Sequence, residues 1–188
     1  IIGIILSVAL VSAVATMYSS AIKSLITFTI TEKGDYHYVF DDVSPSGVDT
    51  IKKNQGVEKV YLTSNIGYAK LNDSQNEYKP YAYIKAYDKE ALDNLAINLV
   101  EGRLPENDTE IIIPTHLKTN ARIDLKVGDY ITLEVGARVS DGYYLNQNNP
   151  YDTESNEHLI NTVTKTYHIV GIAERPARTI EPYDAPGY

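Results

Sequence analysis

The side chains that could do chemistry in this 188-residue chain are four histidines, 25 aspartates and glutamates, and its serines and threonines. A zinc protease needs two histidines one helical turn apart with a glutamate between them, and His37, His116, His158 and His168 offer no such spacing. Glu154, Glu157 and His158 could meet on a turn, but two carboxylates beside a histidine in an acidic loop read as solvated groups, and no metal site is expected there. His37 and His168 fall inside strand-like patterns and read as hydrogen-bonded structural residues. A serine nucleophile would sit in a G-x-S-x-G elbow, and a phosphate would be cradled by G-x-x-x-x-G-K-[ST] or G-x-G-x-x-G; none of these occurs. A glycosidase-like pair of carboxylates could be drawn from many combinations of acids, and the spacing singles out none. Asp41-Asp42 reads as a turn, and the glycosylation-like Asn72-Asp73-Ser74 and Asn107-Asp108-Thr109 are patterns common by chance. The chain has no cysteine, which excludes disulfides, thiolate metal sites and thiol nucleophiles. The expectation is a protein that is not an enzyme, with no catalytic, cofactor-binding or metal-ligating residue and no cofactor.

The element that dominates the sequence is Ile1–Ile22, which contains no charge. At about 1.5 Å per helical residue it reaches roughly 33 Å, enough to cross the hydrocarbon core of a bilayer. A membrane helix over residues 1–24 is the favoured reading. A signal peptide is a second reading, since Ala13-Val14-Ala15 has the A-x-A pattern, though no basic region precedes it. A buried core helix is the third. Ala9 with Ala13, and Ser12 with Thr16 and Ser20, recur at helical spacing, which in lipid favours close packing against another helix. The flank beyond the helix (Lys23, Glu32, Lys33, Asp35, Asp41, Asp42) is not enriched in cations, so the soluble part is expected outside the cell membrane, extracellular or periplasmic.

All of the net charge of −8 falls on that soluble part. With no lysine/arginine block it is a poor nucleic-acid binder. Sixteen tyrosines against two phenylalanines suit half-buried strands and contact surfaces. Alternation predicts strands at Leu25–Thr31, Tyr36–Phe40, Val57–Leu62, Ile66–Leu71 and Tyr81–Tyr87, with Val57–Leu62 and Ile66–Leu71 paired about Thr63-Ser64-Asn65. Ser44-Pro45-Ser46 opens a helix, and Asp88 caps a short one over Lys89–Leu95. Glu101–Pro105 is a turn-rich junction, followed by a strand at Glu110–Ile113, a helical turn or two in Pro114–Thr119, a tight turn at Val127-Gly128-Asp129 and a strand at Tyr130–Val135. Gly136–Asn161 reads as a long polar excursion or an extended hairpin outside the core, either facing a partner or cargo through Tyr143, Tyr144 and Tyr151 or a disordered loop without a role; Thr162–Ala173 is the longest strand. The fold class is α+β: a membrane helix, then a mixed domain of two subdomains, 25–98 (α+β) and 99–188 (mainly β, with the start of a return segment), divided near Asn98–Gly102. The absence of an initiator Met and the loop-like PYDAPGY ending suggest a segment of a longer protein.

Three stretches in order, LVEGRLPENDTEIIIP (Leu99–Pro114), LKVGDYITLEV (Leu125–Val135) and YHIVGIAE (Tyr167–Glu174), carry a family resemblance. Together with the preceding apolar helix they resemble the extracytoplasmic, periplasmic-core-like domain of MacB/FtsX-type ABC transporter permeases. The pattern is a Gly-Arg turn (Gly102-Arg103), a short apolar strand (Glu110–Ile113), a Val-Gly-Asp turn (Val127–Asp129) and a strand ending in Val-Gly-Ile (Val170–Ile172). Arg103 is expected to be pinned by a carboxylate. The Gly136–Asn161 stretch looks longer than is usual in the family. The resemblance implies a dimeric permease in the membrane, driven by a cytoplasmic ABC ATPase subunit or domain, which couples ATP hydrolysis to transport or to mechanical signalling outside. The alternatives are a membrane-tethered binding module and a secreted enzyme released by signal cleavage.

Overall fold

The computed structural model describes residues 2–95, 97–175 and 181–188, the helical residues 32 and 33 by their backbone alone. Ile1, Ala96 and residues 176–180, the last in the stretch read as the start of a return segment, lie outside the described residues.

The apolar segment is one helix, α1 (Ile2–Lys33), of 32 residues. It runs through Leu25–Thr31, which the alternation of β-branched residues had marked as a strand. Two things favour the helix. Once a helix is nucleated, each added residue gains a hydrogen bond for one residue fixed, and β-branched residues oppose this only weakly. The threonine hydroxyls also find partners inside the helix, Thr29 donating to the Leu25 carbonyl at 2.9 Å and Thr31 to that of Thr27 at 2.9 Å. α1 ends at Gly34, whose φ of +98° turns the chain out of the helix while its N–H donates to the Ile30 carbonyl at 2.8 Å.

Tyr36–Phe40 is not a strand either; it has no ladder partner and is exposed. α2 (Pro45–Lys52) follows, opened as expected by Ser44, whose hydroxyl accepts from the Gly47 N–H at 3.2 Å. Val57–Leu62 forms no ladder. The expected hairpin fails because its turn residues Thr63-Ser64-Asn65 are themselves the start of β1 (Thr63–Lys70), where they pair with β2 (Tyr81–Tyr87); β1 also meets β5 (Tyr130–Ser140) at Tyr68 and Ala69. α3 (Lys89–Asn94) is capped by Asp88, which accepts from the Ala91 N–H at 2.8 Å. Then come β3 (Leu99–Gly102), β4 (Glu110–Pro114) and the single-turn α4 (Thr115–Thr119). β6 (Tyr143–Leu145) folds back on β5, and β7 (His158–Ala173) is the longest strand at 16 residues.

All seven strands share one sheet, ordered β2-β1-β5-β7-β3, with β6 on β5 and β4 parallel to β7. The two segments divided near Asn98–Gly102 both contribute strands to it, joining where Tyr68 faces Gly136. One face is covered by the loops and α4 and holds the apolar core: Ala69, Leu71, Ile84, Ile113, Leu117, Leu133, Val135, Tyr167 and Ile169. The opposite face of the β5–β7 pair is polar, with Thr132 bonded to Thr166 at 2.8 Å and Thr162 to Glu134 at 2.6 Å. The chain end completes the sheet edge beyond β2, where Tyr188 donates to the Tyr81 carbonyl and accepts from the Tyr83 N–H, each at 2.9 Å.

Of the two expected forms, Gly136–Asn161 takes the extended hairpin, but it packs into the domain and does not stand outside the core. β5 and β7 take both of its ends, and the connecting residues close over Arg138, which is fully buried. The excursion is part of the packing, because a buried guanidinium has five donors to satisfy and the loop supplies the acceptors.

Candidate functional site

Three places on this scaffold hold unusual residues: the exit of α1 and two buried ionic clusters. α1 is apolar all round, and its residues from Ile2 to Thr31 are exposed, so nothing in the described chain covers it. Mean hydropathy over this span reaches 2.0, and the helix is long and apolar enough to cross a membrane. A helix of this kind is stable only where its surroundings are apolar. The small-residue stripe of Ala9, Ser12, Ala13, Thr16 and Ser20 is exposed with the rest, and Thr16 donates to the Ser12 carbonyl at 2.8 Å.

The helix meets the domain at Gly34. This residue is buried, and a Cβ there would lie 3.1 Å from Leu95 Cδ2 and 3.5 Å from Leu95 Cα, at the end of α3. The joint therefore has two requirements, a left-handed turn and room for Leu95, which only glycine meets together.

The first ionic cluster is the Arg138–Glu157 pair, with side chains 0% and 1% exposed. Arg138 donates to both carboxylate oxygens at 2.6 and 2.9 Å and to the carbonyls of Asn146 at 2.9 Å and Asn149 at 3.1 Å. Its guanidinium lies 5.0 Å from the ring centre of Tyr68 and 5.3 Å from that of Tyr81, against which Tyr151 packs edge-on at 5.8 Å. Burial pushes the Tyr68 hydroxyl up to about 12, although Arg138 pulls the other way. With every donor direction turned inward, this is a structural clasp.

The second cluster centres on Glu181, which receives Lys79 Nζ, Arg175 Nη2 at 2.9 Å and, off the hydrogen-bond axis, His116 Nε2 at 3.2 Å. Lys79, His116 and Glu181 are all buried, and Tyr188 stands over the Lys79 ammonium at 5.1 Å and beside the His116 ring at 5.0 Å. Burial alone would raise the Glu181 carboxyl, but the close approach of His116 and the hydrogen-bonded Lys79 ammonium outweigh it and hold it down to about 2. Burial lowers Lys79, opposed by the same carboxylate. The cluster ties the chain end to the core.

The ligand set weighed from the sequence is not assembled. Glu157 is spent on Arg138, Glu154 sits on a turn with its N–H on Asp152, and His158 Nδ1 contacts the Asn156 carbonyl at 2.8 Å. Among the described residues no three His, Asp or Glu side chains gather as metal ligands. His168 lies in β7 as expected, stacked on Tyr130 at 4.7 Å, whereas His37 lies outside any strand. Asp42 takes a φ of +53° in a bend, and Asn107 is occupied in a local turn, accepting from the Thr109 N–H and hydroxyl at 3.0 and 2.6 Å. Arg103 is pinned by a carboxylate, forked onto Glu110 at 2.7 and 2.6 Å. Arg138 and Glu181 went unassigned in the sequence reading; a lone arginine inside the apolar run of β5 was the available signal for the first.

Comparison with protein-family models, with curated proteins and with solved structures finds no match.

Proposed function

We propose that the chain is the first membrane helix and extracytoplasmic domain of a MacB/FtsX-type ABC transporter permease. In this reading a dimer of the permease is driven by a cytoplasmic ABC ATPase, and the domain carries the resulting motion outward. The observation that supports it most is mechanical. An apolar helix with no partner among the described residues continues without a break for 32 residues to a left-handed turn at Gly34, packed against Leu95 at the end of α3. At 1.5 Å per residue that is a lever of about 48 Å. Rigid-body displacement at its inner end can reach the domain without any chemistry in this chain. The Gly102 turn, the Arg103–Glu110 fork and the Val-Gly-Ile end of β7 lie side by side, with Gly102 opposite Gly171, so the stretches that carry the resemblance form one structural unit. The cargo class is a peptide, a lipid-linked molecule or a lipoprotein, or no cargo where motion alone is passed to a cell-wall enzyme.

The test is to purify the intact protein from its own membrane in mild detergent. An ABC ATPase should accompany it in fixed proportion and hydrolyse ATP in the complex. A single-span protein isolated with no ATPase would favour the tethered binding module, and a mature form lacking α1 would favour a secreted product.

A further inference from the structure

We propose that Tyr36–Phe40 is a membrane-interface anchor, seated in the headgroup layer of a zwitterionic bilayer where α1 emerges. The inference rests on α1 crossing a membrane and is independent of the transport reading. Depth follows from Lys23, the one charge between Ile2 and Thr31. Its ammonium must reach the headgroups, and an extended lysine stem spans about 6 Å, or about four helical residues. The hydrocarbon therefore ends no later than about Thr27. Leu25, Ile26 and Phe28 are 62%, 55% and 64% exposed, so an earlier end would leave them in water. A headgroup layer of about 5–7 Å per side carries the boundary on to about Thr31. α1 stops two residues later, Gly34 turns the chain out of the helix, and the run Tyr-His-Tyr-Val-Phe begins two residues after that turn, within reach of the boundary if it lies back on it.

The run has the chemistry of this layer. Tyr38, Val39 and Phe40 are 82%, 67% and 64% exposed, no strand or helix ties them down, and the run holds no carboxylate or lysine. Tyrosine rings with an apolar body and a wet hydroxyl concentrate at membrane–water interfaces. Asp35 on one side and Asp41 and Asp42 on the other stay in water and disfavour an anionic surface. The consequence is that the domain is held at two points beside the bilayer, the α1 exit and the aromatic run, which restricts its tilt.

The absence of cysteine makes the test clean. Tyr38→Cys, Phe40→Cys and, as a control in α2, Ser46→Cys are made in the full chain, labelled with an environment-sensitive fluorophore, and placed in phosphatidylcholine nanodiscs. Labels at positions 38 and 40 should emit at shorter wavelength than at 46, be quenched by headgroup-proximal nitroxide lipid, and resist an aqueous quencher. Labels at 38 and 40 as open to the aqueous quencher as at 46 would overturn the proposal, and so would protection without lipid quenching, which would point to a protein partner.

Discussion

Arg138 shows how much depends on one residue. A guanidinium with no exposure is tolerable only because Glu157 and two loop carbonyls receive it, and removing one partner leaves an uncompensated buried charge. Glu157→Ala is expected to cost about 3–5 kcal/mol, read as a large fall in the thermal midpoint, whereas Thr132→Ala on the open face of the sheet should change it little. By the same logic, replacing Gln147–Glu157 with a Gly/Ser linker should prevent native packing of the domain. Glu181 makes a second residue-scale prediction. Its carboxyl is held at about 2 against a usual 4.5, so the native state binds fewer protons than the unfolded chain in that interval. Its stabilising contribution is complete above the unfolded value and is lost as pH falls toward 2. Denaturant unfolding across that range should show stability dropping with acid, and Glu181→Gln should flatten part of the slope. An unchanged slope in Glu181→Gln would show that the cluster does not bear on stability.

At the scale of elements, β3 reaches β7 only because position 102 is glycine. Its φ is +79°, and a Cβ there would collide with the Val170 carbonyl oxygen. Gly102→Ala should destabilise by more than about 1 kcal/mol and loosen β3 from β7, seen as faster amide exchange at Arg103, whose N–H donates to Val170 at 2.9 Å. Within α1, Ala13→Leu or Thr16→Leu should impair assembly of the intact protein more than Val8→Leu or Val11→Leu, because only the small-residue side admits a close neighbour. Equal effects at the four positions would make the stripe incidental. Local signals were the legible ones: the Ser44 and Asp88 caps, the Val127–Asp129 turn, and the strands at 81–87 and 110–113 act within a few residues. Leu25–Thr31 was misread because β-branched alternation outweighed a better clue, Lys33-Gly34, which marks a helix end. Val57–Leu62 has strand-like alternation, but the residues expected to turn it back, Thr63-Ser64-Asn65, are drawn into the ladder with β2 instead. The clusters at Arg138 and Glu181 were invisible because their members meet only after the sheet has closed.

For the whole molecule, the domain is one sheet carried on one long helix, and a domain that moves with that helix must change its distance from a second copy. Residues 1–188 hold no cysteine, so with any cysteine elsewhere in the assembly replaced, Lys118→Cys on α4, 64% exposed at its side chain, gives one spin label per copy on a core element. The full-length protein is reconstituted in nanodiscs with the ABC ATPase proposed above, and the label-to-label distance is measured without nucleotide and with ATP trapped. The account predicts a resolved distance between two copies that shifts to a second value when ATP is bound. A distribution identical in every nucleotide state, or no pairwise distance at all, would contradict it.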